Sequence, residues 1–471
     1  MASFTKFLEA VDGVVWGVPL IVLIMGTGIY LTIRLGVLQF RKLGLALNYM
    51  VHNEKDGTGE VTSFQALCTA MAATVGTGNI VGVATAMVAG GPGALFWMVI
   101  AACFGMAVKF SEGLLAVKFR VIDETGHALG GPFYYIENGM GKNWKWLAKL
   151  FALFGVLAGM LGIGTITQVN GIAGAAKTFF DPNDQHIAFS MGGIDYSWAT
   201  VLTAVIVSVL VALVVIGGIQ RIASVASFIV PAMIVIYVVV CVCILIANAT
   251  AIPGALKEIV ASAFGLRAAA GGALGAIIIA MQKGIGRGLF SNEAGLGSAP
   301  IAAAAAQTKE PTRQGLVSMT GTFIDTCIVC LMTGLTIMVT GSWNVGLDGV
   351  DVTIRAFGEG LPWSQSAGAF VLLMCLAFFA FTTILGWDYY SERCFEYLSN
   401  KNKTGLLVFR WLYILAVLIG PFLTLSFVWT FASILNALMA VPNLIALLAL
   451  SGVIVAETKS YFDRLDTGRL K

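Results

Sequence analysis

The stretch Ala73–Gly82, ATVGTGNIVG, sets Thr74, Thr77, Asn79 and three glycines inside a segment whose flanks are apolar. Its chemistry is that of hydroxyls, an amide and any backbone groups the glycines release. Glycine costs about 1 kcal/mol relative to alanine in a helix interior, and Gly76 and Gly78 fall together beside threonines able to satisfy freed backbone groups. The pattern predicts an unwound turn near the middle of a helix. In hydrocarbon, unpaired backbone survives only where it is buried in protein or lines a cavity, so the turn marks a site. Gly78 and Gly82 also fit a close helix crossing of the small-x-x-x-small kind. A dinucleotide loop does not fit, because G-x-G lacks the preceding strand and the third glycine at the right spacing.

A second stretch, KGIGRGLFSNEAGLGS, alternates Gly284, Gly286 and Gly288 and predicts another break. Two further segments bring polar atoms into apolar runs. TITQVNG carries Thr165, Gln168 and Asn170, which either contact a ligand or hydrogen-bond between helices. FFAFTTILGWDYY spaces Phe379, Thr382 and Thr383 at i, i+3 and i+4, so one carbonyl and two hydroxyls share a helix face. Acidic residues in apolar runs call for partners. Glu112 lies three residues from Lys109, a structural pair. Asp325 has no sequence-local partner, and Asp388 and Glu293 fall near inner helix ends, where Arg287, Arg313 or Arg393 can meet them. Lys283 and Arg287 are expected close enough to the inner end to snorkel to water.

The elements that must position these residues are membrane helices. Of 471 residues 58% are hydrophobic and 11% charged, against about 25% charged in a typical soluble domain. Eleven apolar runs are long enough to span: 14–33, 64–89, 93–117, 147–176, 198–219, 222–248, 269–290, 315–340, 366–387, 405–425 and 428–456. They lack the alternation of a β-barrel. The first run is followed by Arg34, Arg41 and Lys42 without a small-residue cleavage site, so it is expected to stay. With the N-terminus outside, inner segments hold about twenty Lys or Arg, and outer ones five: Lys6, Lys177, Lys257, Arg267 and Arg355. The positive-inside rule then gives N-out and C-in. Seven of eight cysteines fall in spans and Cys394 in an inner loop, so disulfides are not implied, and Cys327 and Cys330 are expected to be packing residues. His52, His127 and His186 all lie in loops, which counts against haem ligation and an intramembrane histidine base.

The two breaks open sets of five spans each. Because five is odd, the second set enters from the opposite side, the inverted repeat of many secondary transporters, with the first span as an extra. GTGNIVGVATAMVAGGPGALFWM and KGIGRGLFSNEAGLGSAPIAAAA resemble the alanine or glycine:cation symporter family, sodium/amino-acid carriers related in fold to the leucine transporter, over nearly the whole chain. The resemblance implies an all-α integral membrane protein with eleven transmembrane helices, a leucine-transporter-like 5+5 inverted repeat with two broken helices, and one extra N-terminal helix. The organisation expected is one transporter domain over 1–471: a peripheral N-terminal helix and inner loop (1–60), repeats at 61–250 and 251–457, and a cytoplasmic tail (458–471).

An amino acid is a zwitterion that must keep partners when it leaves water. Its carboxylate is expected against Thr77, Gly78 and Asn79, at the positive end of a half-helix. Carbonyls around Thr74 and from Met281 to Gly284, with the Gln282 side chain, are expected to take the ammonium, and Gln168 to contact substrate. Apart from Lys283, expected to snorkel away, no acid or base lies in either proposed contact stretch, which suits a net-neutral substrate. Trp387, Met281 and Ile277 argue for a small one, although Trp387 reads equally as a packing aromatic. For sodium, the resemblance points to the carbonyls of Ala72 and Val75 with Phe379, Thr382 and Thr383. The function expected is sodium-coupled import of alanine, glycine or a similar small neutral amino acid at a cell (inner) membrane, with sodium as coupling ion and no other cofactor. A proton-coupled carrier using Asp325 or Glu112 is the nearest alternative, and a membrane-embedded enzyme or a channel more distant ones. Basic residues spread over inner loops fit topology better than nucleic-acid binding, and oligomeric state is left open.

Overall fold

The computed structural model describes every residue except Met1, Lys55, Asp56, Thr125, Gly192, residues 267–271, Trp363, Thr424 and Lys471. Lys55, Arg267 and Lys471, counted above for charge bias, and the expected start of the seventh span at 269 lie outside the described residues. Apolar segments with no water to bond must satisfy their backbone internally, which selects helix almost throughout. The chain begins with α1 (Ala2–Val15), α2 (Val18–Arg34), α3 (Leu38–Arg41) and α4 (Leu43–Val51). The first set of five spans comprises α5 (Ser63–Thr74) with α6 (Val81–Gly90), then α7 (Gly93–Lys118), the short α8 (Pro132–Tyr135), α9 (Lys145–Leu161) with α10 (Ile166–Phe180), α11 (Trp198–Val215) and α12 (Gly218–Ala247). After α13 (Ile252–Ala263) come α14 (Ala273–Asn292), α15 (Ala299–Ala303), α16 (Pro311–Thr322) and α17 (Leu331–Val339), the last two joined by a π-helical stretch, Phe323–Cys330. Then follow α18 (Val350–Gly360), α19 (Gln365–Leu398), α20 (Lys403–Ile419), α21 (Leu425–Ala449) and α22 (Ser451–Asp466).

Among the described residues ten helices are long and apolar enough to cross a membrane, and α5 with α6, bent by 63°, makes an eleventh span. The match to the expected spans is close, with four differences. Two small hairpins interrupt the helices: β1 (Val121–Ile122) with β2 (Ala128–Leu129), and β3 (Ile187–Met191) with β4 (Ile194–Ser197). The fourth span is itself broken, at Gly162–Thr165 between α9 and α10. α19 runs on to Leu398, so Cys394, expected in a loop, is buried on a helix against Gly155. The expected tail from 458 continues as α22, docked by Tyr461 on Tyr49 at 2.9 Å and by Arg464 on Glu310 at 2.7 Å.

The end of the bundle that carries the basic loops is sewn shut. Val61, just before α5, pairs in parallel with Ala306, just after α15, and Gln307 N donates to Val61 O at 2.7 Å. Gly59 is required there, since a Cβ would lie 2.4 Å from Ala306 O. Arg120 clamps the join by donating to the carbonyls of Thr58, Ala304, Ala306 and Thr308 at 2.6–2.7 Å. Beside it His127 lies between Glu60 (3.1 Å) and Glu396 (3.4 Å), next to Arg393.

Candidate binding site at two helix breaks

α5 starts on a reciprocal cap, Thr62 Oγ1 accepting from Gln65 N at 3.1 Å and Gln65 Oε1 from Thr62 N at 3.0 Å, and ends at Thr74 as the glycines predict. Gly76 N, which in a continuous helix would bond Ala72 O, instead donates to Asn79 Oδ1 at 2.9 Å. Thr77 N turns to Gln168 Oε1 at 3.3 Å, and Gln168 Nε2 donates to Ile163 O at 3.0 Å, tying this break to the one between α9 and α10. Gln168 thus makes an interhelical bond. Asn79 is held on its other side by Asp325 Oδ1 at 2.6 Å, and its carbonyl by Thr333 Oγ1 at 2.8 Å. Among the described residues the buried Thr77 hydroxyl has no hydrogen-bond partner.

The second break is not where the alternating glycines put it. α14 runs unbroken through Gly284, Gly286 and Gly288, and the chain unwinds at Glu293–Ser298. Gly284 and Gly288 are needed for a close crossing with α7: a Cβ on Gly284 would lie 2.1 Å from Ala94 O, and one on Gly288 2.9 Å from Met98 Cγ. Glu293, Gly295 and Gly297 take φ of 54°, 91° and 79°, the left-handed conformations that end the helix. The amides freed at Gly295 and Gly297 donate to Glu112 Oε1 at 3.1 and 3.2 Å, and Asn443 Nδ2 joins them at 2.7 Å. Glu112, expected to pair with Lys109, instead caps a broken helix.

Four expected contacts consequently sit elsewhere. Met281 is twelve residues from Glu293, about 18 Å along a helix; Ile277 packs near Gly265, and Gly284 faces α7. Gln282 lines a cavity of about 360 Å3 with Asp12, Trp16, Lys283, Arg287 and Phe290, of which Phe290 packs near Gly78. Lys283 packs beside Gly90, at the end opposite the basic loops, so it and Arg287 do not snorkel to the inner end.

The two true breaks meet. A Cβ on Gly78 would lie 3.4 Å from Ser291 Cα, and Asp325 joins them by accepting from Asn79 at 2.6 Å and from Ser291 Oγ at 3.1 Å. Glu293, read from sequence as an inner-end charge, is buried at this junction, with Oε2 accepting from Ser298 Oγ at 2.6 Å and Oε1 from Trp387 Nε1 at 2.9 Å. Trp387 fills the space that Gly164 leaves, where a Cβ would lie 2.3 Å from the tryptophan Cβ. Sequence reasoning missed Ser291 and Glu293 as site residues; the signal was an acid two residues before the G-x-G at 295–297.

On the other side of the first break, oxygens converge without an acidic group among the described residues. Thr383 Oγ1 lies 3.3 Å from Val75 O and 2.9 Å from Phe379 O, and Thr382 Oγ1 3.0 Å from Phe379 O. Ala72 O, deprived of its helical donor, belongs to the same turn. Gly76 is needed for the fit, since its Cβ would lie 2.5 Å from Thr383 Oγ1. Elsewhere, the thiol of Cys330 accepts from Asn79 Nδ2 at 3.3 Å rather than approaching Cys327 as a pair. Among the described residues no group of three His, Cys, Asp or Glu could hold a metal.

Broken helices meeting at the centre of an apolar bundle define a secondary transporter of the leucine-transporter fold. The fold is shared with the transporter MhsT, solved in complex with L-phenylalanine, at a TM-score of 0.59 and 15% identity over 85% of this chain and 92% of that one. The chain matches the sodium:alanine symporter family over residues 1–471 and belongs to it. It is 53% identical to an "uncharacterized transporter" of Haemophilus influenzae, covering 98% of this chain and 97% of that protein. It is 43% identical to the sodium/alanine symporter AgcS of Methanococcus maripaludis, again over 98% and 97%. The protein is therefore a multi-pass membrane amino-acid transporter and not an enzyme.

Proposed function

We propose that this chain imports alanine, glycine or a similarly small neutral amino acid together with sodium, by alternating access around the junction of the two breaks. The observation that carries the reading is the pairing of two unlike sites across one unwound turn. On one side lie Thr74, Thr77, Gly78, Ser291 and Glu293; on the other, Ala72, Val75, Phe379, Thr382 and Thr383. The first set suits a zwitterion. Backbone amides at the start of α6 and the Thr77 hydroxyl face the carboxylate, while Glu293 and the Thr74 carbonyl face the ammonium. Asn79 and Gln168 hold the turn in shape. Trp387 restricts side-chain size, in keeping with the name of the 43% identical relative.

The second set offers neutral oxygens, as sodium sites at unwound helices do. Sodium bound there fixes Val75, and through it the turn that receives the substrate, so each ligand strengthens the other. The repeats at 61–250 and 251–457 then rock around this junction, with 1–60 peripheral. With Lys283 and Arg287 moved to the opposite end, about sixteen Lys or Arg among the described residues remain on the basic side against six, which favours an outside N-terminus and makes that side cytoplasmic.

The test is uptake of radiolabelled alanine into proteoliposomes under an inward sodium gradient and, separately, under an inward proton gradient without sodium. Accumulation that requires sodium and is competed by glycine supports the reading. Accumulation with protons alone would replace sodium by a proton, and no saturable uptake from folded protein would reject the substrate class.

A further inference from the structure

Lys109 on α7 is 3% exposed, and among the described residues its Nζ meets no hydrogen-bond acceptor. It lines a cavity of about 20 Å3 whose wall includes Thr74, Asn292, Gln314 and Thr322. Gln314 Oε1 and Thr322 Oγ1 are likewise buried and unpartnered. Thr74 ends α5 and Asn292 ends α14, so the cavity begins at both breaks. The carboxylates whose charge acts together with that of Lys109 are Glu112, Glu293 and Asp325. An ammonium buried without an acceptor is costly, and an apolar side chain of similar length would be cheaper in this position. Its four-carbon stem also lets the charge change place.

We infer that Lys109 is a tethered counter-cation whose ammonium takes up, once substrate and coupling ion have left, the acceptors that held the substrate ammonium. The inference rests on the reading of a cation-coupled amino-acid carrier. A loaded site holds the substrate ammonium beside Glu293, with the coupling ion on the other side of the unwound turn; an emptied site keeps the carboxylates of Glu293 and Asp325 and has lost the substrate ammonium and the ion. Closing it around uncompensated carboxylates is unfavourable, and Lys109 is already buried at the edge of both breaks. The role concerns only the return of the empty carrier, because exchange of one substrate for another crosses the membrane loaded in both directions.

The experiment compares wild type, Lys109→Met, Lys109→Gln and Lys109→Arg in proteoliposomes, each first shown to be monodisperse. Net sodium-driven alanine uptake is measured beside exchange of external labelled for internal unlabelled alanine at equal sodium on both sides. The neutral variants are expected to lose net uptake by at least about tenfold with exchange within about threefold, and the arginine variant to keep both. Net uptake and exchange falling together, neither falling, or arginine failing as methionine does would overturn the inference. Absence of sodium-driven uptake in wild type would instead defeat the reading of function, which separates the two failures.

Discussion

Replacing Thr383 by alanine removes a side-chain oxygen that touches both helices of the proposed sodium site. In the structure Thr383 Oγ1 lies 3.3 Å from Val75 O on the unwound turn and 2.9 Å from Phe379 O on its own helix. Phe379 O keeps the Thr382 hydroxyl at 3.0 Å after the change, so the stability cost is that of one ordinary hydrogen bond, about 1 kcal/mol. The cost to a cation is larger, because interactions with charged groups contribute about 1.5–3 kcal/mol. At about 1.4 kcal/mol per decade, sodium affinity should fall about 10- to 150-fold. The assay is the sodium activation curve of labelled alanine uptake in proteoliposomes at fixed, subsaturating alanine, with Thr383→Ser as the control that keeps the hydroxyl. Half-maximal sodium should rise by at least about tenfold in the alanine variant. A half-maximal value within about twofold of wild type, a difference no larger than ordinary non-additivity, would remove Thr383 from the site and with it the argument that the oxygens converge for an ion.

Glu112→Ala leaves the amides of Gly295 and Gly297 and the Asn443 side chain without their shared acceptor, and should lower stability by on the order of 3 kcal/mol or more, read as a fall in the thermal midpoint of the purified protein. Gly284→Val should destabilise strongly because its Cβ meets Ala94 O at 2.1 Å, whereas Gly286→Ala, with nothing within 4 Å, should leave the midpoint unchanged or slightly raised; equal effects would contradict the assignment of the crossing. His127 offers a pH test, since bonds to Glu396 and Glu60 raise its pKa from 6.5 to about 9. A group whose folded pKa is raised stabilises fully below its unfolded pKa and loses that contribution as pH rises through the folded value. The midpoint difference between wild type and His127→Gln should therefore be largest below about pH 6.5, shrink as pH rises from there and be gone above about pH 9, and a difference that grew with pH would contradict the assigned bonds.

The spans were legible because a hydrocarbon core demands about 20 apolar residues, and little else in a chain of this composition mimics such runs. The first break was legible for a local reason: Gly76 and Gly78 lie so close in sequence that no helical register hides them. The second was misplaced by the same rule. Gly284 and Gly288 stand four residues apart on one face and serve a crossing, which glycine content alone cannot distinguish from unwinding. What opens the chain at 293–298 is nonlocal, since Glu112, which receives the freed amides, lies 183 residues before Gly295. Lys109 and Glu112 looked like partners at helical spacing, yet Glu112 receives the freed amides and Lys109 Nζ meets no hydrogen-bond acceptor among the described residues. The oxygens around Thr383 were legible as a helix face, while their approach to Val75 required the fold.

The most direct test of the account is alanine binding to the purified protein as a function of sodium. The account predicts that saturating sodium tightens alanine binding by at least about tenfold, that alanine tightens sodium binding by the same factor, and that in Thr383→Ala the sodium concentration needed for the effect rises by at least about tenfold. Alanine affinity that is the same with and without sodium would contradict the claim that the two sites share the unwound turn at Val75 and Gly76.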